Sequence, residues 1–316
     1  MSAILTLGEP LAVFAPKRRG RIIDGPDFGI GVAGSELNVA IALARLEVSS
    51  WFSGAVGDDA VGLMVRQTLL REGVRTDLLD TREDPTGIMI KEWYGLRSEP
   101  RVYYYRKQTA VHGWNPPPCL PKELSHGWVH TSGITLMVNE GLKTRIESSI
   151  QQWLSQPQVR LSLDLNVRRR LGPLSEWRGR LNKVLAMASI VFASASELSQ
   201  LWGASGSRNL VQQGVLNPEQ ILVITDGAAG SWVEKNGDVL AQAEAQVVAD
   251  VIDVVGAGDG FAAGVLAGHL RGWDWPQCLT LGNLVGAFAV AHPGDWEGYP
   301  FLREAMAVLG DAWIDR

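Results

Sequence analysis

Short apolar runs alternate along the chain with longer segments in which apolar residues recur at helical spacing. A short apolar run bounded by glycine or polar residues is typical of a buried strand, and the longer periodic segments are typical of helices packed on a sheet. Because strands that alternate with helices form a mostly parallel sheet covered on both faces, we predict an α/β fold. The predicted strands cover residues 3–7, 50–56, 128–131, 159–164, 190–193 and 220–225.

Capping and turn residues mark the ends of several predicted elements. Ser35 can cap the helix that follows it, because a serine side chain accepts a hydrogen bond from a free amide of the first turn. Asp58 and Asp59 precede a second helix, whose N-terminus favours negative charge. Asn236-Gly237 fits the tight turn of a β-hairpin. Two further helices are predicted over residues 259–271 and 276–291.

One part of the chain departs from this alternation. Four strand-like runs lie near the N-terminus and in the second quarter of the chain, and no helix interrupts either pair. We therefore predict a small separate sheet, an antiparallel flap that is not part of the parallel sheet. The four runs cover residues 11–14, 21–23, 87–93 and 101–106.

Composition narrows the function classes. The 316 residues are 46% hydrophobic and 20% charged, and the formal net charge of −5 argues against a nucleic-acid partner, which would favour a basic face. No signal-peptide pattern and no apolar stretch of membrane-spanning length is present, so we expect a cytoplasmic protein with no membrane partner. Cys119 and Cys278 match no metal-binding spacing and are expected to be free thiols. The length admits one domain over residues 1–316, and a homo-oligomer stays open.

A glycine-rich turn gives the strongest local indication of chemistry. Gly256 and Gly258 free the backbone to turn tightly just before a predicted helix. The amides of Gly256, Ala257 and Gly258 would then point outward with the positive end of the helix dipole, which suits a phosphate. Asp259 follows at the helix start, where its carboxylate could accept a proton from an attacking hydroxyl. The alternative is an aspartate that only caps the helix.

A second glycine-rich segment does not fit a dinucleotide site. Residues 29–34 match the spacing G-x-G-x-x-G and precede a helix. However, no strong strand ends at residues 27–28, and Gly54 stands where that site requires an acidic residue. The chain also lacks a Gly-Lys-Ser/Thr sequence, so we predict no P-loop.

Three motifs taken together resemble a known family. Residues 33–40, residues 54–59 and the turn over 256–259, in this order and separation, look like the ribokinase family of sugar kinases, of the phosphofructokinase B type. The resemblance implies a ribokinase-like three-layer α/β/α sandwich with a mostly parallel central sheet and a small β-sheet lid, with ATP and Mg²⁺ as cofactors. The predicted flap falls where the family has its lid, over about residues 11–31 and 86–108.

The match is closer to one branch, the 2-keto-3-deoxygluconate kinases. Segments similar to that branch are residues 8–10, 103–107, 132–134, 164–168 and 294–298. Tyr104 and Arg106 share one face of a strand, which supports their reaching from the flap. Arg106 could instead be a solvated flap charge, and Arg168 could be one member of a basic turn. By this similarity the sugar would contact Gly34, Ser35, Asn38, Tyr104, Arg106, Ile134, Arg168, Asp259 and Asp295.

The resemblance also implies a nucleotide site, with some departures from the family. Ser194 replaces an asparagine of the family, and Glu197 would act on Mg²⁺ indirectly. Asn283 could instead be a helix-surface residue. Met89 and Val167 stand where the branch often has tyrosine, which leaves the exact sugar open. The implied nucleotide contacts are Asn166, Ser194, Glu197, Thr225, Gly227, Gly230, Gly256, Gly258 and Asn283.

The resulting hypothesis is an ATP-dependent sugar kinase. We expect transfer of the γ-phosphoryl group to a primary hydroxyl of a sugar acid, with 2-keto-3-deoxygluconate as the acceptor and Asp259 as the base. A fructokinase, ribokinase or nucleoside kinase is the alternative with the same chemistry. A non-catalytic sugar or nucleotide sensor is an alternative of another class. Asp259 and the intact glycine turn argue against a sensor, which needs no base.

Overall fold

The computed structural model describes residues 3–18, 20–25, 27–93 and 100–310. Its strands fall into two sheets. They are β1 (Ile4–Leu7), β2 (Leu11–Pro16), β3 (Phe28–Ala33), β4 (Ser50–Gly57), β5 (Leu79–Arg82), β6 (Gly87–Glu92), β7 (Arg101–Tyr105), β8 (Trp128–Ser132), β9 (Arg160–Asp164), β10 (Ile190–Ser194), β11 (Ile221–Thr225), β12 (Ser231–Lys235) and β13 (Asp238–Ala243).

Helices connect most strands of the larger sheet. None of the helices in the described part of the chain is both long and apolar enough to cross a membrane. They are α1 (Ser35–Arg45), α2 (Ala60–Arg71), α3 (Gly133–Leu136), α4 (Glu140–Trp153), α5 (Leu174–Met187), α6 (Ala195–Trp202), α7 (Ser207–Gln212), α8 (Ala257–Leu270), α9 (Trp275–Val290) and α10 (Leu302–Leu309).

The large sheet has nine strands in the order β13-β12-β11-β10-β9-β8-β1-β4-β5. The strands from β11 to β5 in this order are parallel, and β12 and β13 add an antiparallel edge. Asn236 and Gly237 join that edge pair with φ angles of 50° and 91°. A primed turn requires positive φ at both central residues, so the predicted hairpin is confirmed.

Helices cover both faces of the large sheet, which confirms the predicted three-layer α/β/α sandwich. Along β1, Ile4 packs into the core formed with α1, α2, α8, α9 and α10. Its neighbours Leu5 and Leu7 pack into the opposite core, formed with α3 to α7. Because side chains alternate across a strand, apolar residues on both sides of β1 bury both faces of the sheet.

The small sheet has the order β3-β2-β6-β7, and it differs from the predicted flap in two ways. First, β2 and β6 pair in parallel, so an antiparallel flap is only partly correct. Second, no strand forms over residues 21–23. Ile22–Asp24 form one turn of 3₁₀ helix, which Gly25 ends at a φ of 64°. The predicted flap segment 86–108 includes residues 94–99, which lie outside the described residues.

The strand that replaces the expected one is β3, which contains most of the G-x-G-x-x-G segment. Gly29 and Gly31 pair with Ala15 and Val13 of β2 in an antiparallel ladder. Both glycines therefore lie within a strand of the small sheet and not in a turn between a strand and a helix.

Candidate functional site

The candidate site lies where the parallel strands end and two helices begin. The loops after β1, β8, β9, β10 and β11 all leave the large sheet at its carboxyl edge, where α/β proteins bind ligands. The N-termini of α1 and α8 meet at this edge, because side chains near the start of each helix bond to one another. The small sheet covers the same place through Met89, Tyr104 and Arg106.

Gly256 caps the start of α8 in a left-handed backbone conformation that favours glycine. Its φ is 82°, and a Cβ atom there would clash with the carbonyl oxygen of Asp295. The hydroxyl of Tyr299 donates a hydrogen bond to the Gly256 carbonyl at 2.6 Å. The turn is thus packed tightly from behind. At Gly258, by contrast, a Cβ atom would meet nothing within 4 Å.

Asp259 is the third residue of α8, and its carboxylate is held by side chains from other elements. Its Oδ1 accepts hydrogen bonds from Ser35 Oγ at 2.7 Å and Asn166 Nδ2 at 3.2 Å. Its Oδ2 accepts one from Asn38 Nδ2 at 2.8 Å. The Asp259 side chain makes no capping bond to its own helix, so the alternative of a simple cap is not what the structure contains.

The predicted capping role of Ser35 is also wrong. Gly34, with a φ of 146°, occupies the cap position of α1, and Ser35 is the first helical residue. Its hydroxyl turns instead toward Asp259 and also accepts a hydrogen bond from Asn166. The buried Oδ1 of Asn38 accepts no hydrogen bond from the described residues, so it is free to accept one from a ligand hydroxyl.

Burial raises the pKa of Asp259 to about 6. The hydrogen bonds from Asn38 and Ser35 and the charge of Arg168 oppose this shift, and the nearby Asp295 adds to it. A carboxylate with a pKa of about 6 is mostly ionised at neutral pH, yet it takes up a proton more readily than an ordinary aspartate. The group can therefore act as a proton acceptor near neutral pH.

Three adjoining cavities lie at this site, two of them lined by Asp259, and each predicted contact lines at least one of the three. The first cavity, of about 70 Å³, lies between the small sheet and the carboxyl edge of the large sheet, and all nine predicted sugar contacts line it. The second cavity, of about 240 Å³, lies beside it and shares Asn166, Arg168, Gly256 and Asp259 with it. The third cavity, of about 550 Å³, shares Thr225 and Gly258 with the second. The predicted nucleotide contacts line the second and third cavities: Asn166, Ser194, Glu197, Thr225, Gly227, Gly230, Gly256, Gly258 and Asn283.

Two arginines reach the first cavity in different electrostatic settings. Arg106 is buried, pairs with Glu9 and lies over the Tyr104 ring at 5.7 Å, so it is not a solvated flap charge. Burial raises the pKa of Glu9 to about 6, although the Arg106 charge opposes the shift. Arg168 is exposed, its backbone carbonyl accepts a hydrogen bond from Leu171, and its side chain makes no hydrogen bond or ion pair with any residue that the structure describes. Its guanidinium is free to meet a ligand.

Carboxylates also gather at the second cavity. Glu197 accepts hydrogen bonds from the amides of Val167 at 2.6 Å and Ser194 at 2.7 Å, and it forms a capping box with Ser194. Burial and the charges of Glu197 and Asp259 raise the pKa of Asp164 well above its ordinary value. No cluster of three or more acidic, histidine or cysteine ligands forms among the described residues. Asp164 and Glu197 nevertheless both line the second cavity.

Asn283, on α9, is tied to the wall of the third cavity. It donates a hydrogen bond to the Glu244 carbonyl at 2.9 Å and accepts one from Ser231 at 3.0 Å. It therefore fixes the segment that follows β13 and is not a free helix-surface residue. The lining beside it is mostly apolar and includes Val247, Val251 and Val290.

Sequence reasoning assigned no role to several residues of the cleft. Asp164 could have been found, because acidic side chains at the carboxyl end of a parallel strand face the ligand edge. Glu36 accepts bonds from Ser132 and Thr135 at 2.7 Å each, which fixes the turn that carries Ile134. Glu36, Glu9 and Lys91 each interact with residues that are far away in sequence. No local sequence pattern predicts such contacts.

Comparison with known proteins shows similarity to carbohydrate kinases at the level of family, sequence and structure. The model of the pfkB family carbohydrate kinases matches residues 2–301. A 2-dehydro-3-deoxygluconokinase of Bacillus subtilis (strain 168) is 30% identical over 308 residues, covering 96% of this chain and 94% of that protein. A fructokinase of Klebsiella pneumoniae is 29% identical over 322 residues, covering 97% and 99%. The structure of an uncharacterized sugar kinase from Pyrococcus horikoshii in complex with ATP aligns with a TM-score of 0.78 at 25% identity, covering 95% and 96%.

The two glycines of the turn should respond differently to alanine. Gly256→Ala should destabilise the protein by at least about 1–3 kcal/mol, the cost of an unfavourable backbone conformation, because the clash with Asp295 adds to it. Gly258→Ala should keep or slightly raise stability, because alanine favours a helix. Urea unfolding of both variants checks this. Equal midpoints for the two variants would contradict the assigned packing.

Proposed function

The chain belongs to the pfkB family of carbohydrate kinases, which are ATP-dependent phosphotransferases, and we propose that its acceptor is the sugar acid 2-keto-3-deoxygluconate. The observation that carries the choice of an acid is Arg168, an unpaired guanidinium at the cavity that holds Asp259. Family membership favours catalysis over a non-catalytic sensor.

In the proposed reaction, the sugar occupies the first cavity with one hydroxyl against Asp259. The carboxylate takes the hydroxyl proton as the oxygen attacks phosphorus, and its raised pKa of about 6 suits a base that works near neutral pH. Ser35 and Asn38 hold the carboxylate in place, which limits the motion needed to reach the transition state. The free Oδ1 of Asn38 is placed to accept a hydrogen bond from a second sugar hydroxyl.

The transferred phosphoryl group would sit in the second cavity. The first amides of α8, those of Ala257 and Gly258, have no partner within the helix and carry the positive end of its dipole. They are suited to stabilise negative charge as the phosphoryl group is transferred. The adenosine part would occupy the third cavity, whose apolar lining suits a planar base. The Pyrococcus horikoshii protein was solved in complex with ATP, which supports ATP as the phosphoryl donor.

The donors at the second cavity fit Mg²⁺. Asp164 and Glu197 supply hard oxygen ligands, and the raised pKa of Asp164 reflects burial together with like charges that a divalent cation would neutralise. Glu197 already accepts protein hydrogen bonds on both oxygens, so it would hold the ion through water, as magnesium sites often do. When bound, Mg²⁺ would neutralise charge on the ATP phosphates.

A neutral hexose such as fructose is the second candidate. The observation that favours it is the Glu9–Arg106 pair, which leaves Arg106 electrostatically balanced before any substrate arrives. The fructokinase relative is about as identical to this chain as the 2-dehydro-3-deoxygluconokinase relative. Under this alternative, Arg168 would bind a phosphate of ATP.

Replacing the proposed base should stop turnover without unfolding the protein. Asp259→Asn keeps the shape of the side chain but cannot take a proton, so kcat should fall by about 10²- to 10⁴-fold. ATP affinity, measured by calorimetric titration, should change little. Asp58→Asn, at an exposed aspartate, is the matched control and should keep wild-type kcat. A kcat for Asp259→Asn above about a tenth of the wild-type value would exclude the base assignment.

Activity should also follow the ionisation of Asp259. Its pKa is raised, so acidification protonates it earlier than an ordinary aspartate and removes the active form. We expect kcat/KM to level off above about pH 6 and to fall about tenfold per pH unit below it. Circular dichroism over the same range controls for unfolding. A profile that stays flat down to about pH 5 would contradict a base with this pKa.

Acceptor preference tests Arg168. One charged hydrogen bond contributes about 1.5–3 kcal/mol, so the wild type should prefer 2-keto-3-deoxygluconate to fructose by about tenfold or more in kcat/KM. Arg168→Ala should remove most of that preference and leave the KM for ATP nearly unchanged. Arg169→Ala, at an exposed residue of the same turn, is the matched control. A wild type that prefers fructose would reject the sugar acid, and a raised KM for ATP would assign Arg168 to the phosphates.

A further inference from the structure

Lys91, on β6 of the small sheet, is fully buried although lysine is seldom buried without compensation. Its Nζ donates to Asp253 Oδ2 at 3.3 Å and forms an ion pair with Asp295. Both carboxylates are buried as well. Burial opposes the lysine charge, but the carboxylates of Asp295 and Asp253 outweigh it and raise the pKa of Lys91. The side chain is therefore a buried ammonium ion between two carboxylates.

Both carboxylates belong to segments that build the glycine turn. Asp253 Oδ1 accepts a hydrogen bond from the amide of Val255, the residue before Gly256. The carbonyl oxygen of Asp295 packs directly behind Gly256. The ammonium group thus lies behind the turn and holds its two supporting segments to the small sheet.

The positive charge of Lys91 offsets negative charge close to the glycine turn. Asp253 and Asp295 would place two buried negative charges close to the turn that is proposed to receive a phosphoryl group. One ammonium group balances half of that charge and draws the two segments together. Without it, the carboxylates would repel each other and the incoming phosphate, and the amides of the turn would lose their fixed support.

Resting on the proposed kinase function, we propose that Lys91 is a positioning residue that supplies a built-in monovalent cation behind the phosphate-binding turn. It acts through Asp253 and Asp295, the two side chains with which its ammonium group pairs. The small sheet then contributes to catalysis as well as to acceptor binding, because its strand β6 carries the ion.

The first test separates turnover from acceptor binding. Lys91→Met removes the charge and keeps much of the side-chain volume, so kcat should fall by about tenfold or more, the effect of losing a charged hydrogen bond. Lys91 also lines the first cavity and pairs with Asp295, a predicted sugar contact, so the KM for the acceptor is measured beside kcat, and the fall in kcat at saturating acceptor is the decisive result. The matched control is Lys235→Met, which breaks the exposed Lys235–Glu219 pair and should keep wild-type kcat. A kcat for Lys91→Met within about threefold of wild type would overturn the proposal.

The second test is chemical rescue. Lys91→Ala leaves a space of alkylammonium shape beside two carboxylates, so ammonium, methylammonium or ethylammonium chloride should restore kcat by about fivefold or more at constant ionic strength. Tetramethylammonium, which has no N–H donor, should not. Urea unfolding of the variant with and without each amine shows whether the rescue acts on turnover or on stability, and a gain in kcat without a gain in stability is the result expected for a positioning residue. A folded but impaired Lys91→Ala variant that none of the three amines improves would also overturn the proposal.

If Lys91→Ala does not fold, the double variant Lys91→Met/Asp253→Asn tests the proposal instead. Removing one charge of each sign avoids an uncompensated buried carboxylate at Asp253 and should restore stability. Low kcat in this folded variant would support the proposal, and wild-type kcat would overturn it. All these assays work with whichever sugar the wild type prefers. A preference for fructose would therefore reject the proposed acceptor and leave the test of Lys91 intact.

Discussion

The buried carboxylate of Asp259 is the group on which the cleft depends, because a buried acid must find donors or keep its proton. The donors come from Ser35 and Asn38 on α1 and from Asn166 after β9. One side chain thereby fixes the relative position of two helix N-termini and a strand end. The bonds from Asn38 and Ser35 moderate the effect of burial on its pKa, so they both organise the cleft and keep the pKa of Asp259 in the range useful to a base.

Around this group the cleft contains more acid than base. Asp164 and Glu197 face the second cavity, and Asp253 and Asp295 lie behind the glycine turn. Among the cations described near them, Lys91 and Arg106 are already paired. Such a cleft suits phosphate only together with a counter-ion, which is the physical reason for the Mg²⁺ that we propose to accompany the nucleotide.

Local signals predicted the parts of the fold that depend on neighbouring residues. The buried strands, the Asn236-Gly237 hairpin and the helix capped by Asp59 all follow from short-range pattern and agree with the structure. The small sheet was only partly predicted, because the parallel pairing of β2 with β6 joins residues far apart in sequence. The strand expected over residues 21–23 was wrong, because Gly25 ends a helical turn there. The same holds for the candidate site. The glycine turn can be predicted, because it requires particular residues in sequence. The position of Lys91 cannot, because the residues around a lysine in sequence are the same whether its side chain meets solvent or two buried carboxylates.

The arrangement separates chemistry from acceptor choice. The large sheet and its helices carry Asp259, the residues that donate hydrogen bonds to it, and the glycine turn. The small sheet supplies other contacts to the first cavity, from Met89, Tyr104 and Arg106. Changes in the small sheet can therefore alter acceptor contacts without moving the base. Relatives named for different acceptors are nearly equally identical to this chain, so overall identity does not decide the acceptor. Lys91 limits that freedom, since a strand that also holds the glycine turn in place cannot vary its ion pair without cost to turnover.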